Sequence, residues 1–117
     1  MARKPAGKFI HRDEAPVDKA GGNAIATLLT GAETAGRFAV REIEAEPGAT
    51  AFPPAPAADN RYLFVVAGEW AIEAGGETRS ASEGVAVFVP AGEAYSARLT
   101  GAARGRLLEI AAPVAPK

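Results

Sequence analysis

Two stretches decide the fold: PGATAFPPAPAADNRYLFVVAG (47–68) and GVAVFVPAGEAYSARL (84–99). In the first, Pro47-Gly48 is a turn signal. Pro53, Pro54 and Pro56 then remove backbone donors, so the segment before Asn60 cannot be a regular central strand. Arg61 to Ala67 (RYLFVVA) reads as the best strand in the chain. Tyr62, Phe64 and Val66 face one way; Leu63 and Val65 face the other, with Arg61. Apolar residues on both faces imply a strand covered on both sides, by another sheet or by a partner subunit. In the second stretch Val85, Val87 and Val89 share a face, and Pro90-Ala91-Gly92 turns the chain into Tyr95–Leu99.

Between the two, Glu69 to Glu73 alternates with Trp70 and Ile72 inward, and Ala74-Gly75-Gly76-Glu77 is a hairpin signal before a return strand over Thr78 to Ser82. Upstream, Arg37 to Glu46 (RFAVREIEAE) alternates, with Phe38, Val40, Glu42 and Glu44 on one face and Arg37, Ala39, Arg41 and Ile43 on the other. Neither face is purely apolar. Ala24 to Leu29 is a strand candidate, although its alanines also allow a helical turn. Phe9 to Arg12 reads as a short edge strand. Ala15 to Asn23, with Pro16, Gly21 and Gly22, reads as loop, and Thr30 to Gly36 as a turn region. Arg106 to Ala111 is the last strand. Short strands with Gly/Pro punctuation and no long helix argue an all-β sandwich or barrel. The expected organisation is an N-terminal arm and loop (1–23) followed by one barrel domain (24–117).

Composition narrows the function. At 117 residues, 48% hydrophobic and 23% charged, the chain is one globular domain. Its net charge of −1 gives no drive toward nucleic acid or an anionic membrane, and no basic stripe carries interleaved aromatics. No apolar run spans a bilayer, and the basic N-terminus has no apolar signal core. Zero cysteines exclude disulfides, thiolate metal sites and a Cys nucleophile. The expected location is cytoplasmic. The only histidine, His11, stands outside both stretches and reads as a surface residue.

Gly48, Gly68, Gly84, Pro90 and Gly92 resemble the frame of the cupin family. Its first motif is G, five residues, H-x-H, three or four residues, E, six residues, G; from Gly48 this lands on Pro54, Pro56, Arg61 and Gly68. Its second is G, five residues, P-x-G, two residues, H, three residues, N; from Gly84 it lands on Pro90, Gly92, Tyr95 and Leu99. The resemblance implies a small double-stranded β-helix, a jelly-roll barrel. It also places a divalent metal on the two His and the Glu of the first motif and the His of the second. Here those positions hold Pro54, Pro56, Arg61 and Tyr95. Proline offers no side-chain donor atom, and arginine stays cationic. No metal and no other cofactor is therefore expected there.

In such a barrel Arg61 and Tyr95 point into the mouth and are the candidate catalytic residues. A buried arginine needs a partner. That partner is either a bound carboxylate or enolate, or an internal carboxylate from Glu42, Glu44 or Glu109. Tyr95 either donates to a developing oxyanion or rests at the rim. Phe52, Leu63, Trp70, Phe88 and Leu99 complete the expected ligand-binding set, with Val65 behind them; the same residues would equally fill a packed core. Three functions follow. The first is a metal-independent barrel that binds a small, mostly apolar, anionic molecule, for its own sake or for a cofactor-independent isomerisation or cyclisation. The second is a non-enzymatic scaffold for self-association, expected as a homodimer, or for another protein. The third is a relocated carboxylate metal site drawn from Glu42, Glu44, Glu93 and Glu109.

Overall fold

The computed structural model describes residues 6–113. The ends of the expected arm (1–5) and of the expected barrel domain (114–117) lie outside them. Ten strands form two antiparallel sheets. In chain order they are β1 (Val17–Ala20), β2 (Asn23–Leu29), β3 (Ala39–Ala45), β4 (Thr50–Pro56), β5 (Asn60–Ala67), β6 (Trp70–Ala74), β7 (Glu77–Ala81), β8 (Ala86–Val89), β9 (Ala94–Leu99) and β10 (Gly105–Ala112). One sheet runs β1-β2-β3-β10-β5-β8 and the other β4-β9-β6-β7. The all-β jelly roll is as the turn spacing implies. No helix among the described residues is long and apolar enough to cross a membrane.

Alternation along each strand sends one set of side chains between the sheets. Leu63 and Val65 of β5, Trp70 and Ile72 of β6, Ala97 and Leu99 of β9 and Leu107 of β10 are each at most 4% exposed. They form one contiguous core with Tyr95, Val89 and Ala45. At the end of the barrel nearest Leu99 the packing is tight. Trp70 Nε1 donates to the Ala67 carbonyl at 3.0 Å. A Cβ on Gly68, whose φ is +95°, would lie 2.8 Å from the Gly105 Cα. Only glycine fits that approach.

Several expectations need correction. Within one chain β5 is covered on its inner face only, by the four-stranded sheet; among the described residues no second sheet covers the outer face, where Tyr62 and Phe64 are 45% and 42% exposed, which leaves a partner subunit as the other covering expected. Phe9 to Arg12 is not a strand; the chain runs extended into a short 3-10 turn, Arg12–Glu14, which His11 caps by accepting from the Asp13 amide at 3.1 Å. The stretch read as loop from Ala15 to Asn23 contains β1. Gly21 and Gly22, both at positive φ, close a two-residue hairpin that pairs Ala20 with Asn23. The proline-rich segment, by contrast, is no regular central strand, as its missing donors require: it forms β4 at a sheet edge with two register irregularities.

Candidate functional site

Three strands of the six-stranded sheet and one of the other converge at the mouth of the barrel. β10 places Glu109 on the inner face, in phase with Leu107, and leaves it 1% exposed. β3 places Arg41 inward beside it, opposite Glu109 in the pairing register, in phase with buried Ile43. β5 starts with Arg61, in phase with Leu63. The three side chains meet. Arg41 Nε donates to Glu109 Oε1 at 2.6 Å, and Arg61 Nη1 donates to Glu109 Oε2 at 2.7 Å. Arg61 Nε also donates to Asp59 Oδ1 at 2.5 Å. Two guanidinium groups therefore share one buried carboxylate, and Asp59 brings the set to neutrality.

From β9 on the facing sheet, Tyr95 enters the same neighbourhood, its ring centroid 5.5 Å from that of half-buried Phe52. Burial pushes the Tyr95 phenol above its usual 10; the charge of Arg61 opposes this and that of Glu109 adds to it. For Arg61, burial works against the charged form, but the hydrogen bond to Asp59 and the charge of Glu109 outweigh it and hold the guanidinium above its ordinary value.

A donor count identifies what remains available. A guanidinium carries five N–H groups. Arg61 Nη2, Arg41 Nη1 and the Tyr95 hydroxyl have no hydrogen-bond partner among the described residues. None of the three is a buried unsatisfied atom, so each reaches solvent. The mouth thus presents three donors around one fixed carboxylate. Along the β7–β8 edges a cavity of about 380 Å³ opens, lined by Ile72, Ala81, Val85, Val87 and Phe88 together with the polar side chains of Glu77, Arg79 and Ser80. Ala74 pairs directly with Tyr95, and the Leu63–Val87 pair lies one step along from Arg61–Val89.

The other residues singled out in sequence fall elsewhere. Leu63, Trp70 and Leu99 are 0–1% exposed within the packed core rather than at the mouth. Phe88 does not back the interior: Val87 and Val89 point inward, so Phe88 stands on the outer face, 53% exposed, where it borders the cavity along the β7–β8 edges. Of the three glutamates offered as partners of Arg61, Glu109 is the one. Glu42 and Glu44 lie on the outer face, where they bind Arg12 and Arg106. Glu93 caps a turn by accepting from the Gly75 amide at 2.7 Å. The four glutamates proposed as a relocated metal site are thus dispersed, and among the described residues no three His, Asp or Glu side chains form a group that could hold a metal ion. Arg41 escaped the sequence reading, although its alternation with Ile43 was visible.

No protein-family model and no curated protein matches the chain. Solved structures do. An RmlC-like cupin from Shewanella frigidimarina is 19% identical, with a TM-score of 0.78 over 93% of each chain. The polyketide cyclase RemF from Streptomyces resistomycificus is 23% identical, with a TM-score of 0.77 over 96% of this chain and 83% of its own. A predicted oxalate decarboxylase from Thermotoga maritima is 15% identical, with a TM-score of 0.85 over 92% of this chain and 100% of its own. The protein has the cupin fold. The metal that fold commonly carries does not fit here: Pro54 and Pro56 are exposed prolines, and Arg61 is a cation fixed between two carboxylates.

Proposed function

We propose that the protein binds a small, mostly apolar molecule carrying an anionic or acceptor oxygen at the barrel mouth, without a metal. The observation that supports this most is the set of three solvent-reaching donors, Arg61 Nη2, Arg41 Nη1 and Tyr95 Oη, around buried Glu109. A buried carboxylate straddled by two arginines is a weak way to stabilise a fold, since apolar residues of the same volume often do as well or better. A polar network of this kind is better explained by what it holds. The cavity of about 380 Å³ along the β7–β8 edges has the size of a small-ligand site and mixes apolar side chains with Glu77, Arg79 and Ser80. Fixed donors would steady charge developing on an enolate or phenolate oxygen, which suits a cofactor-independent isomerisation or cyclisation. The likeness to a polyketide cyclase supports that class of chemistry.

A second reading, a non-enzymatic module for self-association, draws on one observation: Arg61 already has Asp59 and Glu109 as partners and needs no ligand to neutralise it. A thermal-shift screen against benzoate, salicylate and divalent metal ions separates the two. On the binding reading, aromatic acids raise the melting temperature and metals do not. Arg61→Ala then weakens acid binding by about 2–5 kcal/mol. Stabilisation by stoichiometric metal would refute the metal-free site. No response to either class would favour the module.

A further inference from the structure

The mouth network holds two carboxylates, and they are engaged to different degrees. Glu109 is fully engaged: Arg41 donates to its Oε1 and Arg61 to its Oε2, and the side chain is 1% exposed. Asp59, two residues before Arg61, gives only Oδ1 to the Arg61 Nε donor. Its Oδ2 accepts no hydrogen bond from the described residues and is not a buried unsatisfied atom; the side chain is 31% exposed, so this oxygen reaches solvent. The segment that carries Asp59 is tied to the turn between β8 and β9. The Ala57 amide donates to the Glu93 carbonyl at 2.9 Å, the Gly92 amide to the Ala57 carbonyl at 2.8 Å, and the Ala91 amide to Asn60 Oδ1 at 3.0 Å. The free oxygen is therefore held at the mouth, where the Tyr95 hydroxyl feels the charge of Asp59 as well as those of Arg61, Glu109 and Arg41.

We propose that Asp59 is the proton acceptor of the mouth, and that the molecule bound there is a carbonyl compound with an acidic C–H next to its carbonyl; the inference rests on the barrel-mouth site proposed above. In the step, the C–H bond breaks, its proton goes to Asp59 Oδ2, and its electron pair moves toward the carbonyl. The enolate oxygen so formed lies among Arg61 Nη2, Arg41 Nη1 and Tyr95 Oη. Asp59 reaches solvent, so its proton exchanges with water. Return of a proton to the same carbon gives isotope exchange, and return to another carbon of a conjugated system moves a double bond. No oxidant or reductant is needed. Charge balance favours this step. At rest the set holds two guanidiniums and two carboxylates. When Asp59 takes the proton it loses its charge, and the enolate supplies one in its place before the same arginines, so no buried ion is left unpaired. A carboxylate serves as base where the oxygen that gains the charge is held by a tyrosine and other fixed donors. Glu109 cannot take this part, because a proton on either of its oxygens would displace a guanidinium donor.

The probe is 2-tetralone, an apolar ketone whose C1–H lies between the carbonyl and an aromatic ring. Proton magnetic resonance in heavy water follows the exchange of that C1–H. The expected result is exchange at least about 100-fold faster with the wild type than in buffer, and lost in Asp59→Asn, as removal of a general base implies. The asparagine Oδ1 still accepts from Arg61 Nε, so this variant should keep the wild-type circular dichroism and bind benzoate as the wild type does. A wild type that leaves exchange at the buffer rate overturns the assignment and needs no variant. If that wild type still binds benzoate, the binding site stands without the proton transfer; if it binds neither benzoate nor 2-tetralone, both fall. Exchange that persists in Asp59→Asn places the base elsewhere and overturns the proposal. Joint loss of exchange and of benzoate binding makes Asp59 a support for Arg61 and overturns it as well.

Discussion

The two faces of β3 and β10 carry the same residue types and use them in opposite ways. Outside, Glu44 pairs with Arg106 and Arg104 in a surface lattice, its side chain 38% exposed, while Glu42, 9% exposed, lies beneath Arg12 and Arg106. Inside, one glutamate at 1% exposure is shared by Arg41 and Arg61. Ion pairs in water contribute little, because solvent already satisfies each ion and salt screens the attraction. A buried carboxylate has no such alternative, and removing one side of its network leaves charges that nothing neutralises. The comparison teaches that the charge in the barrel is held in place by its partners, whereas the charge outside mainly keeps one half of the sheet polar.

That contrast can be broken by mutation. The largest effect is expected from Glu109→Ala, which takes away the carboxylate of Arg41 and leaves Arg61 with Asp59 alone. It should lower unfolding free energy in urea by about 3 kcal/mol, at the low end of the range for buried networks because Arg41 is partly exposed. A loss no greater than that of an outer glutamate would erase the distinction. Glu44→Ala should lower stability by about 1 kcal/mol or less, and 0.5 M salt, at roughly a 4 Å screening length, should shrink that loss while leaving the Glu109→Ala loss largely intact. Equal salt sensitivity at the two sites would count against the account.

Two pH effects sharpen the comparison with smaller signals. Tyr95 is held protonated above 10 by burial, so its contribution to stability is complete below pH 10 and declines as pH climbs through its raised value. An ultraviolet titration should therefore show one of the two tyrosines ionising late, and Tyr95→Phe should remove that phase. A late phase that survives in Tyr95→Phe contradicts the burial argument. At the exposed end, the Lys8 hydrogen bond, helped by the Thr30 amide, holds Glu33 down to about 2 from an ordinary 4.5. Its depressed value means the tie between the N-terminal arm and the 30–36 turn is complete above pH 4.5 and lost as pH falls toward 2. Hydrogen exchange of that turn should rise within this window, and Glu33→Gln should leave it already raised at pH 6.

Much of the fold was legible because glycine and proline fix backbone geometry locally. The Gly75-Gly76 hairpin, both residues at positive φ, and the turn at Gly92 follow from those residues alone. β1 was obscured because all four of its residues are exposed, with Val17 its one large apolar side chain and no alternation to read, and its pairing depends on Gly21-Gly22 acting as a hairpin instead of a loop. The site was legible in part. Arg61 stood out by replacing a metal ligand, but choosing among Glu42, Glu44 and Glu109 requires knowing which face of β3 and β10 turns inward. RFAVREIEAE carries charge on both faces, so alternation alone could not say. Arg41 was hidden by the same ambiguity. Phe88 was misplaced inside because aromatic bulk suggested core, although its valine neighbours on either side already fixed it outward.

The most direct test is nuclear magnetic resonance of the arginine side chains, following Nε–H signals while benzoate is added. The account predicts saturable shifts at Arg61 and Arg41 in the wild type and loss of the Arg41 shift in Tyr95→Phe/Arg61→Lys, with Arg104, exposed on the outer face, unmoved. Shifts at Arg104 of the same size as at Arg61, or none at either, would contradict a donor site at the barrel mouth.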